Sequence, residues 1–287
     1  MMEPMKAVQK FNEHVKRRFA YMKKIVAILM ALVLAIGCTA ALAEEDSVPP
    51  STPEMKAYES YWVGEDGNTL AWIGRQDDGF QIQAVQKTGE DTFTSWEYVA
   101  GFDAETKSIR NADGTKCDCK VTNAQEEVID GTNVDGIKAS FTIGEDGILV
   151  WKDEQAGREM KLQKIGNFIG IYIGEGTVIY FVWNVHENHY NVLPSVNQSE
   201  NEIWEYQLNG TYDPATETVQ FKGLKQLLTY KEDGEIDTDA EVKEGELEGT
   251  FSFNENGGLV WQSSDKSGDG IIFEKMDIPL WANGLEI

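Results

Sequence analysis

The chain has 287 residues, with 25 basic and 49 acidic side chains and a formal net charge of −24. A field of that sign repels nucleic acid and anionic lipid, so both are set aside as partners. The plainest physical meaning of such acidity is solubility.

In chain order, Met22-Lys23-Lys24 comes first, followed by an uncharged run over 25–36 and small residues ending in Ala41-Leu42-Ala43. This reads as a secretory signal peptide, too short to stay in a bilayer as a helix. Residues 1–43 are therefore expected to be an N-terminal extension and signal peptide, with translation beginning at Met22 and cleavage after Ala43. Cys38, after Ala35-Ile36-Gly37, loosely resembles a lipobox. A lipid anchor at Cys38 is the alternative, and it would be the only link to a membrane. Either route leaves the mature chain extracellular or at the cell surface. Removing residues 1–43 takes away seven basic and two acidic side chains, leaving 18 against 47 and a net charge of −29.

Residues 44–56 carry Pro49, Pro50 and Pro53 and are expected to form an extended spacer. Beyond them a duplication governs the chain. Val63-Gly64-Glu65 matches Ile173-Gly174-Glu175 at an offset of 110, and Trp96-Glu97-Tyr98 matches Trp204-Glu205-Tyr206 at 108. Phe102-Asp103 with Thr106 matches Tyr212-Asp213 with Thr216, again at 110. The block 141–151 aligns without a gap on 251–261, from Phe141 on Phe251 to Trp151 on Trp261. Each block is a hairpin, with Asp146-Gly147 and Asn256-Gly257 supplying the positive φ of a tight turn between alternating apolar runs.

Two tandem modules are thus expected, over 57–165 and 167–278, followed by a tail at 279–287. Short alternating runs broken by Gly, Asp and Asn every 8 to 12 residues make the fold all-β, with eight or nine strands per copy in an antiparallel meander. Only 221–230 leaves a helical period open. A meander of this size hides its edges most simply by closing into a small barrel, with a two-sheet sandwich as the alternative. Phe168-x-Gly170-x-Tyr172, with Tyr58-x-Ser60-x-Trp62 in the first copy, resembles the Gly-x-Trp opening strand of lipocalin-like barrels. Ser60 departs from that pattern. The resemblance implies a small barrel for each copy.

The joint 165–167 is so short that the copies should pack together. The unbroken apolar run 178–183 is expected to supply the contact, since a strand apolar on both faces is covered on both. Its more polar counterpart at 68–73 is expected to contribute less.

No catalytic set emerges. His186 and His189 are the only histidines after the leader, and they read as part of an exposed turn rather than a metal site. Asp103 and Asp213 suit Asx-type turns. Glu97 and Glu205 alternate with core aromatics and should be solvated, unless something covers them. The acidic run 232–239 reads as a hairpin tip. Cys117 and Cys119 lie on one strand face, where a strained bridge, a free pair and half a metal site all stay open. Neither a metal nor a cofactor is expected.

Trp96 with Trp204, and Trp151 with Trp261, recur in both copies and read as framework. Trp72, Trp183 and Trp281 have no tryptophan counterpart and are the candidate ligand-binding residues. Export, duplication and spare aromatics together suggest a non-catalytic binding module for a small apolar molecule, a peptide or a glycan. The alternative is a cell-surface structural or interaction protein, or an inhibitor of an extracellular enzyme.

Overall fold

The computed structural model describes residues 51–76, 79–89, 92–121, 128–184, 187–231, 235–238, 240, 243–276 and 285–286. The leader with Cys38 and Ala43, His186 and Trp281 lie outside the described residues. Among the described residues no helix is long and apolar enough to cross a membrane.

The first copy begins with a one-turn helix, α1 (Pro53–Lys56), and continues as eight strands. These are β1 (Ser60–Gly64), β2 (Thr69–Gln76), β3 (Gly79–Lys87), β4 (Thr92–Asp103), β5 (Ser108–Val121), β6 (Val128–Ile143), β7 (Leu149–Asp153) and β8 (Arg158–Gly166). Each pairs antiparallel with the next, and β1 pairs with β8 to close the barrel. The second copy repeats the plan with β9 (Gly170–Gly174), β10 (Thr177–Asn184), β11 (His189–Asn197), β12 (Glu202–Asp213), β13 (Thr218–Thr229), β14 (Lys243–Phe253), β15 (Leu259–Ser263) and β16 (Ile272–Lys275). Pairing of β9 with β16 closes this second ring, and β17 (Leu285–Glu286) adds a short parallel contact to β10. The expected small barrel therefore holds over the sandwich, and residues 221–230 fall almost wholly in strand β13.

Alternation explains the interiors. Along β12, Tyr206 and Leu208 are buried in the barrel, whereas Asn209 faces out. Along β4, Trp96, Tyr98 and Ala100 are buried while Glu97 and Val99 are exposed. The recurring hairpins also match. Gly147 and Gly257 have φ of 77° and 81°, and each N–H donates back to the carbonyl of the residue three before it, Gly144 or Asn254. An L-residue resists that φ, so Gly257→Ala is expected to destabilise by about 1 kcal/mol, measurable as a shift in the urea midpoint. Asp103 and Asp213 do cap turns: their Oδ1 atoms accept from the N–H of Glu105 (3.0 Å) and Ala215 (2.9 Å).

One end of the first barrel is plugged. The end of the expected spacer is helical rather than extended, because Pro53 at the start presets φ and the Thr52 hydroxyl accepts from Met55 N–H (3.3 Å). This turn delivers Met55 and Tyr58 into the opening. Tyr58 Oη donates to the Lys107 carbonyl (2.8 Å) and accepts from Ile143 N–H (3.1 Å), while Trp62 Nε1 donates to the Tyr58 carbonyl (3.0 Å). Among the described residues the second barrel has no such helix. Its opening is filled by Phe168, stacked on Phe253 at 4.6 Å, and by the joint itself, whose Ile165 carbonyl accepts from Tyr190 Oη at 2.6 Å.

The copies pack through one continuous apolar cluster, but not by the strand expected. Tyr61, Val63 and Leu70, with half-buried Trp72 and Val85, present the outer faces of β1, β2 and β3 to the cluster that forms the core of the second copy. In β10, Ile179, Phe181 and Trp183 point into the barrel, and Val178, Tyr180 and Val182 on its outer face are only half-buried. The 68–73 strand thus makes the contact and the 178–183 strand does not. The apolar run is explained by alternation within a barrel wall, where every second residue is core. Polar ties support the joint: Asn167 Nδ2 donates to the Glu59 carbonyl (3.1 Å), and Lys164 approaches Glu217 at 3.8 Å.

Candidate functional site

Each barrel is sealed at the end where its first strand begins, so chemistry is available at the opposite mouth. In the first copy, sheet register lines one polar residue per strand across that mouth. Thr69 faces Gln86, Gln86 faces Thr94, Thr94 faces Asp118 and Asp118 faces Thr132. Thr69, Gln86 and Thr94 are buried; Thr69 and Gln86 both donate to Asp66 Oδ2, and Thr94 pairs separately with Asp118. Thr94 Oγ1 donates to Asp118 Oδ1 (2.6 Å), and Lys116 Nζ donates to Asp118 Oδ2 (3.0 Å). Those two contacts, Thr94 first and Lys116 second, hold the Asp118 carboxyl below its ordinary value. Gln86 Nε2 donates to Asp66 Oδ2 (2.7 Å), and its Oε1 accepts from Arg158 (3.1 Å).

Beneath the row lies an aromatic floor. Trp151 sits edge-on to Trp96 at 5.0 Å and to Tyr98 at 6.1 Å, and stacks on Phe141 at 5.8 Å. Burial pushes the Tyr98 phenol far up, and nearby Asp153 adds to the effect. The barrel interior is therefore filled by side chains. What remains open is a groove of about 400 Å³ at the rim, lined by Thr88, Thr92, Phe93, Thr94, Asp118 and Thr132, with Cys119 and Lys120.

The second mouth is built differently. The matching register runs Thr177, Val196, Trp204, Leu227, with no carboxylate or amide in it. Lys225 lies over the Trp204 ring at 4.6 Å and donates to Asp265 Oδ2 at 2.7 Å. Asp265 belongs to the β15–β16 connection, longer than the tight turn between β7 and β8, and it also accepts from Ser263 (2.6 Å) and Ser267 Oγ (2.6 Å). Tyr206 Oη in turn donates to Ser267 Oγ (2.8 Å). Burial would raise the Asp265 carboxyl, but Lys225 and the two serines outweigh it and hold the group at about 2. This connection crosses the mouth with its polar atoms engaged by the chain itself.

The sequence-derived candidates lie elsewhere. Trp183 is buried inside the second barrel near its sealed end, edge-on to Tyr190 at 4.9 Å. Trp72 lies on the outer face of β2, its ring over Gly74, where an added Cβ would come within 2.1 Å. The structure does not bring these two together, and Trp281 falls outside the described residues. Cys117 and Cys119 are joined as a disulfide on β5. His189 opens β11, and its Nε2 is 3.0 Å from Asn191 Oδ1. Glu187 and Asn188 of the preceding turn are exposed. Among the described residues no three His, Cys, Asp or Glu side chains gather as metal ligands.

Glu97 and Glu205 part company. Glu97 is exposed as expected, whereas Glu205 is covered on the outer face of β12, where it accepts from Ser195 Oγ at 2.8 Å. Burial raises its carboxyl to about 7, with the serine opposing. No protein-family model matches the chain, and no curated protein is significantly similar to it.

Proposed function

We propose that the protein is a secreted or cell-surface, non-catalytic binding module whose first barrel holds a neutral glycan at its mouth. The polar row from Thr69 to Thr132, bordering an open groove in one copy and absent from the other, carries this reading. A sugar offers both donors and acceptors, which suits hydroxyl, amide and carboxylate side chains set side by side. Its apolar ring face suits Phe93. A barrel packed with aromatics leaves little room for a buried apolar molecule, and the surplus of carboxylates disfavours an anionic ligand.

Isothermal titration of the mature chain with a panel of neutral oligosaccharides tests the proposal. Binding is expected to weaken about tenfold in Asp118→Asn and in Thr94→Val, a loss of about 1.4 kcal/mol each, and to survive Trp204→Phe in the other barrel. A panel that produces neither heat nor a rise in melting temperature counts against it.

A second reading, an interaction protein or an inhibitor of an extracellular enzyme, has its own observation. Strand β6 pairs with β7 only from Ala139 onward, so residues 131–135 have a described neighbour on one side alone, β5. Such an edge accepts an added strand from a partner. Proline at Val134 or Asp135, which lie outside the polar row and the groove lining, would abolish that mode and leave glycan binding at the mouth largely intact.

A further inference from the structure

The disulfide on β5 adds little to the fold. Cys117 and Cys119 are two residues apart on a strand already paired along both sides, to β4 and to β6. A bridge restricts the unfolded chain least when the loop it closes is shortest. The second copy forms the same strand without one. Ser95 faces Val85 as Glu205 faces Ser195, and in that register Gln226 and Leu228 take the places of Cys117 and Cys119. The residue between them changes too, from Asp118 to Leu227. The bridge thus accompanies the carboxylate of the polar row and is missing from the copy without that row.

We propose that Cys117 and Cys119 form a reversible thiol–disulfide exchange site, whose oxidised state fixes Asp118 for ligand binding at the mouth of the first barrel. The sulfurs lie on the outer face of β5, between Ser95 and Phe93 of β4 and Asn133 and Gly131 of β6, while Asp118 shares the inner face with Thr94. On the β6 side the bridge is open to approach. Gly131 and Asn133 are exposed, β5 is their only described neighbour, and a Cβ at residue 131 would stand 3.1 Å from Cys117 Sγ. A small thiol coming over Gly131 meets half-buried Cys117 before Cys119, which is buried. Its thiolate attacks Cys117 Sγ, forming a mixed disulfide and expelling Cys119 as a thiolate that takes up a proton. A second thiolate attacks the small-molecule sulfur, releasing the small-molecule disulfide and Cys117, which is protonated in turn. The protein gains two electrons and two protons, and two thiols are oxidised to one disulfide. The closed ring holds the Cα atoms of Cys117 and Cys119 5.8 Å apart, and with them the backbone on either side of Asp118. The carboxylate therefore stays where Thr94 (2.6 Å) and Lys116 (3.0 Å) donate to it, and opening the ring returns torsional freedom to that backbone.

The link to ligand binding rests on the glycan reading, whereas the links to thiols and to Asp118 do not, and three measurements separate them. First, the folded mature chain is treated with excess reduced glutathione and then iodoacetamide. Both cysteines are expected to be alkylated with the circular dichroism spectrum retained; alkylation only after denaturant overturns the exchange site. Second, carbon-13 titration follows the Asp118 carboxyl, whose midpoint is expected to rise towards the ordinary carboxylate range on reduction and to fall back on reoxidation. A midpoint indifferent to redox state overturns the coupling. Third, calorimetry with the neutral oligosaccharide panel is expected to show affinity about threefold or more weaker in the reduced chain and in Cys117→Ser with Cys119→Ser, and no effect of reduction in Asp118→Asn. Equal affinity in both redox states overturns the gating of binding. A panel that binds in neither state removes the glycan reading, and the first two measurements then decide the exchange site alone. Should the double variant fail to fold, the reduced unaltered chain stands in for it.

Discussion

Trp151→Ala and Trp261→Ala are each expected to lower stability by about 3–5 kcal/mol, the largest effects of any single substitution considered for this protein. Both indoles are essentially inaccessible and sit among other rings. Trp261 stacks on Phe251 at 5.7 Å and meets Tyr206 edge-on at 5.2 Å, and the backbone at Gly268 lies close against its face. A hole of that size, walled by rigid β-sheet, has little freedom to collapse. The two variants should nevertheless differ in reach. Trp151 belongs to a cluster confined to the first barrel, whereas Trp261 shares a cluster with Tyr61, Val63 and Leu70 of the other copy. Guanidinium unfolding followed by circular dichroism gives the magnitude, and residue-resolved hydrogen exchange gives the reach. Loosening of β1 and β2 is expected in Trp261→Ala, with no loosening of β10 to β13 in Trp151→Ala. A loss below 1 kcal/mol in either variant would contradict the framework role of the repeated tryptophans.

Lys225→Met should cost about 2 kcal/mol at neutral pH. Methionine keeps an aliphatic stem over Trp204, so what is removed is the charge that answers Asp265. The two side chains are only about one-fifth exposed, at 21% and 17%, which places the pair between a solvated surface bridge and a fully buried one. An Asp265 left ionised without its cation is the main penalty, and Lys225→Met with Asp265→Asn should therefore recover much of the loss, a coupling that a double-mutant cycle reads directly. The acid limb follows the same logic. With its carboxyl held at about 2 against an ordinary 3.8, Asp265 stabilises the fold above pH 4 and loses that contribution as pH falls to 2. Thermal melts of the unaltered protein should lose part of their advantage over Lys225→Met across that interval.

How much of this was legible in the sequence depended on whether the determining contacts were local. The hairpins ending at Trp151 and Trp261, the Asx turns at Asp103 and Asp213 and the antiparallel meander are all set by residues within a few positions of one another, and they could be read directly. The barrel closure rested on a weaker signal, one strand per copy, yet it holds. The packing between copies was misassigned, because an apolar run such as 178–183 looks the same whether its second face is buried by a partner or merely half-covered in a barrel wall. The polar row at the first mouth was out of reach. Its members run from Thr69 to Thr132 on five strands, and only the register brings them side by side. Glu97 and Glu205 share one local pattern, Trp-Glu-Tyr, but stand two positions apart in the register, since Glu205 faces Ser195 where the first copy sets Ser95 against Val85. Of the tryptophans without a counterpart, Trp183 completes a core and Trp72 joins the seam between copies, places that long-range packing decides.

The unequal way in which the two barrels are stoppered has a consequence for biogenesis. The N-terminal unit carries its own plug in Met55 and Tyr58, so residues 51–166 contain everything needed to shut their interior as soon as they emerge, at the cost of a bare apolar flank around Leu70 and Trp72. The C-terminal unit borrows its stopper from Ile165 and from the wall of its predecessor, and would leave its core wetted if severed from it. The trailing copy is therefore expected to complete its fold on the leading one, and residues 167–287 expressed alone should lack the fixed aromatic environment that near-ultraviolet circular dichroism reads.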